Sequence, residues 1–202
     1  MAINGAQRYL GLAAASVFVL AVAGFGTALP GYLQTRHPVA LLGAAGVPHA
    51  AGFNLLAFLL VGALGMACGV ALLAAMPKTA RWSARVGGQL IVLAGLAFAG
   101  MGALPLDPSD LDGRASQYHA TAWLLWAVAF VPALILLAAD LLDRPEQRGL
   151  AWLSLGTGLL VAVLSFGPAV LLPPAIAQRL AFLCWVGWLA VATWQLPERR
   201  AA

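Results

Sequence analysis

The side chains of this chain that could do chemistry are few, and they gather in two segments. His37 and His49 lie in PGYLQTRHPVALLGAAGVPHAAGFN, while Asp107, Asp110 and Asp112 lie in LPLDPSDLDGRASQYH, just ahead of His119. Imidazole and carboxylate groups ligate zinc and act as general acids and bases, so His37, His49, His119 and Asp107 form a candidate metal set of three histidines and one carboxylate. His119 acting as a base oriented by Asp107 is the candidate catalytic pair. The local motifs do not sharpen either reading. There is no HExxH and no GxSxG, and in DPSDLDG the EF-hand register puts Pro108 at the first calcium ligand and His119 at the bidentate glutamate. A haem held by two histidines would need both on facing helices, and of the three only His119 is placed on one. Asp107 and Ser116 also suit the capping of helices or turns. No cofactor is expected, zinc being the one these side chains would suit.

The elements that position these groups are dictated by composition. Of 202 residues, 62% are hydrophobic and 9% are charged, and the mean hydropathy is +0.91. That excludes a water-soluble enzyme, a disordered regulator and a nucleic-acid binder. A helix needs about 20 apolar residues to cross a bilayer, where lipid offers unpaired backbone groups no partner. Six stretches qualify, at about 9–29, 53–76, 86–104, 118–142, 150–172 and 175–195, so an all-α polytopic protein is expected, with residues 1–202 forming one six-span membrane domain. The first apolar run is too long for a signal-peptide core and is read as a retained span. With both termini cytoplasmic, Arg8, Lys78, Arg81, Arg85, Arg144, Arg148, Arg199 and Arg200 fall inside, and Arg36, Arg114 and Arg179 fall outside, the bias expected of an inner-membrane protein. No nucleic-acid partner is implied.

This orientation turns all three histidines and Asp107, Asp110 and Asp112 outward. The first loop, Pro30 to Asn54, is too long and too apolar for a floppy linker; it is expected to fold back on the bundle, with a short helix or re-entrant turn over Val39 to Gly43. Trp123, Trp126 and Phe130 recur at helical spacing below His119, and Trp185 and Trp188 lie at similar depth on the sixth span. Belt and packing roles suit them, as does an outward cavity lined by Trp123, Trp126, Phe130, Trp185 and Trp188, with Asn54 near its mouth. On the second span Gly62, Gly65 and Gly69 make a small-residue stripe, a helix-packing face or a surface for self-association or a larger membrane partner. Pro132 and Pro168 are expected to kink the fourth and fifth spans. Asp140 and Arg144 form an i, i+4 pair at the inner interface. Cys68 and Cys184 lie in opposite halves and should not pair. The span centres lack ionisable residues, which argues against an ion pump.

In order, HPVALLGAAGVPHAAGFNLLAFLLVGAL, then GALPLDPSD, then HATAW opening the next helix resemble the bacterial domain-of-unknown-function family nine-nine-eight, distantly similar to the Frag/DRAM/Sfk membrane proteins. Leu42, Gly43, Gly46, Pro48, Asn54, Pro105, Asp107 and His119 stand at the places of the family pattern, while Leu104 replaces a frequent Phe and His37 a frequent small polar residue. The resemblance implies six spans, a bacterial source and an outward Asp107/His119 pair; the eukaryotic relatives are linked to membrane-lipid homeostasis. Three functions follow as expectations: binding of a lipid or other amphiphile with its polar end at Asp107 and His119, a membrane-embedded lipid hydrolase or acyl transferase that could use a metal, or an accessory subunit of a larger membrane complex.

Overall fold

The computed structural model of the protein describes residues 5–168, 170 and 172–196. Among the described residues six helices are long and apolar enough to cross a membrane: α1 Gly5–Ala28, α2 Ala50–Ala75, α3 Trp82–Ala103, α4 Arg114–Leu141, α5 Pro145–Phe166 and α6 Pro174–Trp194. Each coincides with an expected span but begins one to five residues earlier. The added first turns, such as Gly5–Tyr9 and Pro145–Gln147, carry Arg, Gln and Glu, which extend a helix past the hydrocarbon without adding to its apolar signal.

Proline and glycine set the ends. Pro145 and Pro174 open α5 and α6, where a missing N–H costs nothing and the fixed φ suits a first turn. The chain expected to continue helically to 172 instead leaves the helix after Phe166. Gly167 is extended at ψ 162°, and its N–H makes the last helical bond to Val163 O. A residue before proline is pushed out of the helical region, so Pro168 terminates α5 rather than kinking it. Pro132, by contrast, lies within α4, which continues through it.

Neighbours in sequence are neighbours in space, and α6 closes the ring against α1 while also touching α2. Two close approaches fix this arrangement. Gly62 and Gly65 of α2 meet Gly95 of α3, where a Cβ on Gly95 would lie 2.5 Å from the Met66 nitrogen and 2.8 Å from Gly62 O. Gly11 of α1 lies against Leu189 O of α6, and its N–H donates to Thr193 Oγ1 at 3.2 Å. The glycine stripe is thus buried between helices of the same chain: Gly69 meets Ile91 and Val92 of α3, and Gly65 also meets the Trp185 ring.

Aromatic rings fill the axis. Phe18 of α1, Phe58 of α2, Phe98 of α3, Trp126 and Phe130 of α4, and Phe182 and Trp185 of α6 are at most 2% exposed. Apart from the stacked Trp126–Phe130 pair, they meet edge to face or tilted, as in Phe98–Phe182 at 5.1 Å and Phe130–Trp185 at 4.8 Å, the arrangements ring quadrupoles prefer. Residues 29–49, 104–113, 167–168, 170 and 172–173 lie at one end, here the loop face, and residues 76–81, 142–147 and 195–196 at the other. Near that second end Arg144 pairs with Asp140 at 2.6 Å, as the i, i+4 spacing predicts. Cys68 and Cys184 are both free thiols.

Candidate functional site

The loop face is built as a lid. Val39–Gly43 form a short 3-10 turn whose Val39, Ala40, Leu42 and Gly43 are buried, so the first loop does fold onto the bundle. Three attachments hold it. Ala45 N–H donates to Leu106 O at 2.8 Å, reaching the 104–113 loop. Asn54 donates through Nδ2 to Gly43 O at 2.8 Å, and any side chain at Gly43 would collide with that amide. Asn54 also opens a π-helical stretch, Asn54–Leu60, beneath the lid. The third attachment comes from α6: Gln178 Oε1 accepts from Val39 N–H at 2.8 Å, and Arg179 spends its guanidinium on the lid.

Arg179 donates to Gln34 Oε1 at 3.0 Å, to His37 O at 2.7 Å and to the Tyr32 hydroxyl, as well as to Ala175 O in its own helix. Its guanidinium carbon also stands 5.7 Å from the centre of the Tyr32 ring. Every one of these acceptors is neutral. Burial pushes the Tyr32 phenol upward in pKa, an effect the neighbouring Arg179 charge opposes, and the phenol donates to Pro38 O at 3.1 Å. Arg179, Tyr32, Gln34 and Gln178 were not singled out in the sequence. The available signal was Arg179 itself, a lone cation one turn inside an apolar span, where a charge needs a partner.

His119 is 7% exposed. Its Nδ1 lies 2.9 Å from Leu104 O and 3.1 Å from Met101 O, and since both neighbours are acceptors, Nδ1 carries the proton. The reason lies in the chain ahead of it. Met101 O should receive the N–H of residue 105, but Pro105 has none; the imidazole supplies the donor that proline removed. The Phe58 ring, centred 6.2 Å away, stands edge-on to it. Asp107 turns to its own loop, where Oδ1 accepts from Ser109 Oγ at 2.6 Å and Ser109 N–H at 2.9 Å, and these bonds hold its carboxyl below the usual carboxylate range. Ser116 bonds the Asp107 backbone and Asp110 O, closing the loop ahead of α4, whose first turn has no side-chain cap. No hydrogen bond joins Asp107 to His119 among the described residues.

The other two histidines go separate ways. His37 Nδ1 accepts from Leu33 N–H at 2.9 Å and its ring lies over Tyr32. His49 is exposed and left-handed at φ 62°, at the entry to α2, on the rim of an apolar groove between α1 and α2 that includes Leu20, Gly24 and Leu56. Among the described residues no three His, Cys, Asp or Glu side chains come together as a metal group.

The aromatic residues divide as well. Trp126, Phe130 and Trp185 are 0% exposed and packed on one another in the axial cluster. Trp188 donates from Nε1 to Ser154 Oγ at 2.9 Å, tying α6 to α5, and borders a small recess with Asp140 and Arg144 toward the other end of the bundle. Trp123 alone of this group lines a large loop-face cavity. That cavity, about 620 Å³, opens where α4, α5, the start of α6 and the lid converge; Trp123, Leu164, Ser165, Ala177 and Arg36 are among its walls. Two polar atoms in these walls, Trp123 Nε1 and Ser165 Oγ, are buried without a hydrogen-bond partner among the described residues, as are the Trp126 and Trp185 indole nitrogens in the packed axis. Ser165 and Arg36 carry no sequence motif and were not anticipated.

Six spans around an aromatic axis, capped at one end by a hydrogen-bonded lid, define a multi-pass membrane protein. The chain belongs to the family described as protein of unknown function (DUF998), whose sequence pattern matches residues 12–195. No curated protein and no solved structure matches it.

Proposed function

We propose that the protein binds a lipid or other amphiphile in the cavity beside Trp123, in a bacterial inner membrane with both termini in the cytoplasm and the loop face outward. The carrying observation is a cavity of about 620 Å³ between α4, α5 and α6 whose walls hold a buried indole N–H and a buried hydroxyl, both unpartnered. A mostly apolar recess with a few placed polar groups is the usual form of a small-molecule site. Unpaired buried polar atoms are costly, and a bound polar group would relieve both. The excess of Lys and Arg on the loops at the other end supports the orientation.

On this reading the polar end of the ligand lies at Trp123, Ser165 and Arg36 rather than at Asp107 and His119, whose bonds serve the turn and the end of α3. The bonding of those two residues also lends the hydrolase reading no support. The test is native mass spectrometry of protein released from lipid nanodiscs. Wild type should retain one amphiphile per chain, and both Trp123→Ala and a cavity-filling Ala177→Trp should lose it. Unchanged retention in a folded Ala177→Trp protein would overturn the proposal.

A further inference from the structure

We infer that the amphiphile taken by this cavity is anionic, its headgroup held by Arg36, Trp123 and Ser165 at the loop-face end of α5 and the start of α6. The inference rests on the binding role proposed above and concerns only the charge of what is bound.

The argument is one of unspent donors. Arg36 is the charged residue in the cavity walls, and no aspartate or glutamate accompanies it there among the described residues. It is exposed and forms no ion pair among the described residues, whose pairs are Arg81–Asp143 and Arg144–Asp140, both at the far end of the bundle. The other cation nearby, Arg179, is committed to the lid. Trp123 Nε1 can only donate, and Ser165 Oγ has a proton to give; neither has a partner.

The backbone adds charge of the same sign. Pro173, Pro174, Ala175 and Ala177 also border the cavity, the last three in the first turn of the 21-residue helix α6 and Pro173 just ahead of it. That turn has no acidic residue and no side-chain cap, which leaves its positive dipole end unneutralised; Pro174 has no N–H and the Ile176 and Ala177 N–H groups already donate to Pro173 O, so the turn contributes field rather than hydrogen bonds. A guanidinium, an indole N–H and a hydroxyl facing one recess match an acceptor-rich phosphodiester, and walls whose described residues include no carboxylate give the ammonium of a zwitterionic headgroup no partner, which favours a lipid of net negative charge. Leu164 and Ala181 of the same walls offer apolar surface to an acyl chain. Depth agrees with this: Ser165 is the penultimate residue of α5 and Pro174 the first of α6, the level at which a lipid headgroup sits.

The test uses full-length protein in nanodiscs of equimolar phosphatidylglycerol and phosphatidylcholine, with the retained lipid identified by native mass spectrometry. Wild type should retain phosphatidylglycerol preferentially, and Arg36→Gln should lower that preference about tenfold, the effect of one charge-assisted hydrogen bond, while still retaining lipid. Arg36 is exposed, so this variant should fold as wild type does. Retention of both lipids alike by wild type, or an unchanged preference in Arg36→Gln, would overturn the inference and leave the binding role standing. Loss of all retained lipid from wild type would overturn the binding role itself. Displacement of phosphatidylglycerol by millimolar inorganic phosphate would show a site for the anion alone and overturn the assignment to an amphiphile.

Discussion

Truncating His119 to alanine would leave Met101 O and Leu104 O without the donor that stands in for the missing N–H of Pro105. An unsatisfied buried carbonyl costs about 1–3 kcal/mol, so His119→Ala should lower thermal stability in detergent by an amount of that order. A catalytic base would show a different pattern, with stability unchanged and turnover lost, and equal melting temperatures for variant and wild type would refute the capping role. Asp107 makes a prediction in pH. The two Ser109 bonds favour its charged form, so the folded carboxyl titrates below the unfolded one. Its contribution to the loop is therefore full above the ordinary carboxylate pKa of about 4 and is lost as pH falls through the lower folded value. Proteolytic cleavage within 104–113 should accelerate on acidification below about pH 4, and Asp107→Asn should remove that dependence; cleavage flat with pH in wild type would disprove it. Both residues could be picked out from the sequence as unusual, because polar side chains are rare in so apolar a chain. Their partners could not: the His119 bond depends on where α3 ends against α4, and no spacing between positions 105 and 119 records it.

At the scale of elements, the lid hangs on one side chain more than on any other. Arg179 joins α6 to Tyr32, Gln34 and His37, and replacing it with alanine removes those bonds without disturbing the apolar face of the helix. Hydrogen exchange at residues 32–41 should rise in Arg179→Ala by about tenfold or more, the equivalent of one charge-assisted bond, while the centres of α2 and α3 stay protected. Exchange unaltered in the lid would mean that the Ala45–Leu106, Asn54 and Gln178 bonds hold it without Arg179. The α2–α3 crossing makes the opposite kind of prediction, because Gly95 has no room to give. Gly95→Val places a Cβ 2.5 Å from the Met66 nitrogen and should cost about 1–3 kcal/mol through overpacking, read as a lowered melting temperature. The six spans and the buried Val39–Gly43 turn were legible because hydrophobic length and the Pro and Gly positions encode them directly. The end of α5 was misplaced by six residues, since Val170 and Leu172 carry the same apolar signal as a helix, and only the backbone restriction imposed before Pro168 separates them from one. The π-helical turn at Asn54–Leu60 leaves no trace in composition at all.

The whole molecule is organised around its aromatic axis, and its energetics differ from those of a soluble core. Phe98 touches Phe18, Phe58, Trp126, Phe182 and Trp185, so it joins rings from five of the six helices, four of these partners lying outside α4. In water, removing such a ring costs both its transfer from solvent and the void it leaves, about 3–5 kcal/mol together. In a bilayer the unfolded helices face lipid as apolar as the core, so the transfer contribution largely vanishes and the void dominates. A void on the order of 100 Å³ at about 24 cal/mol per Å³ costs about 2 kcal/mol, and Phe98→Ala should be destabilised by that smaller amount. The cavity beside Trp123 does not include Phe98 among its walls, so lipid retention by the variant should match wild type. For the Trp126, Phe130 and Trp185 rings the sequence left packing and an outward cavity both open, because helical periodicity fixes which residues share a face but not whether that face meets ligand or neighbouring helices. Phe98→Ala separates the two at the scale of the whole bundle: a moderate loss of stability with lipid retained assigns the axial rings to packing, whereas loss of lipid at full stability would return them to the binding site.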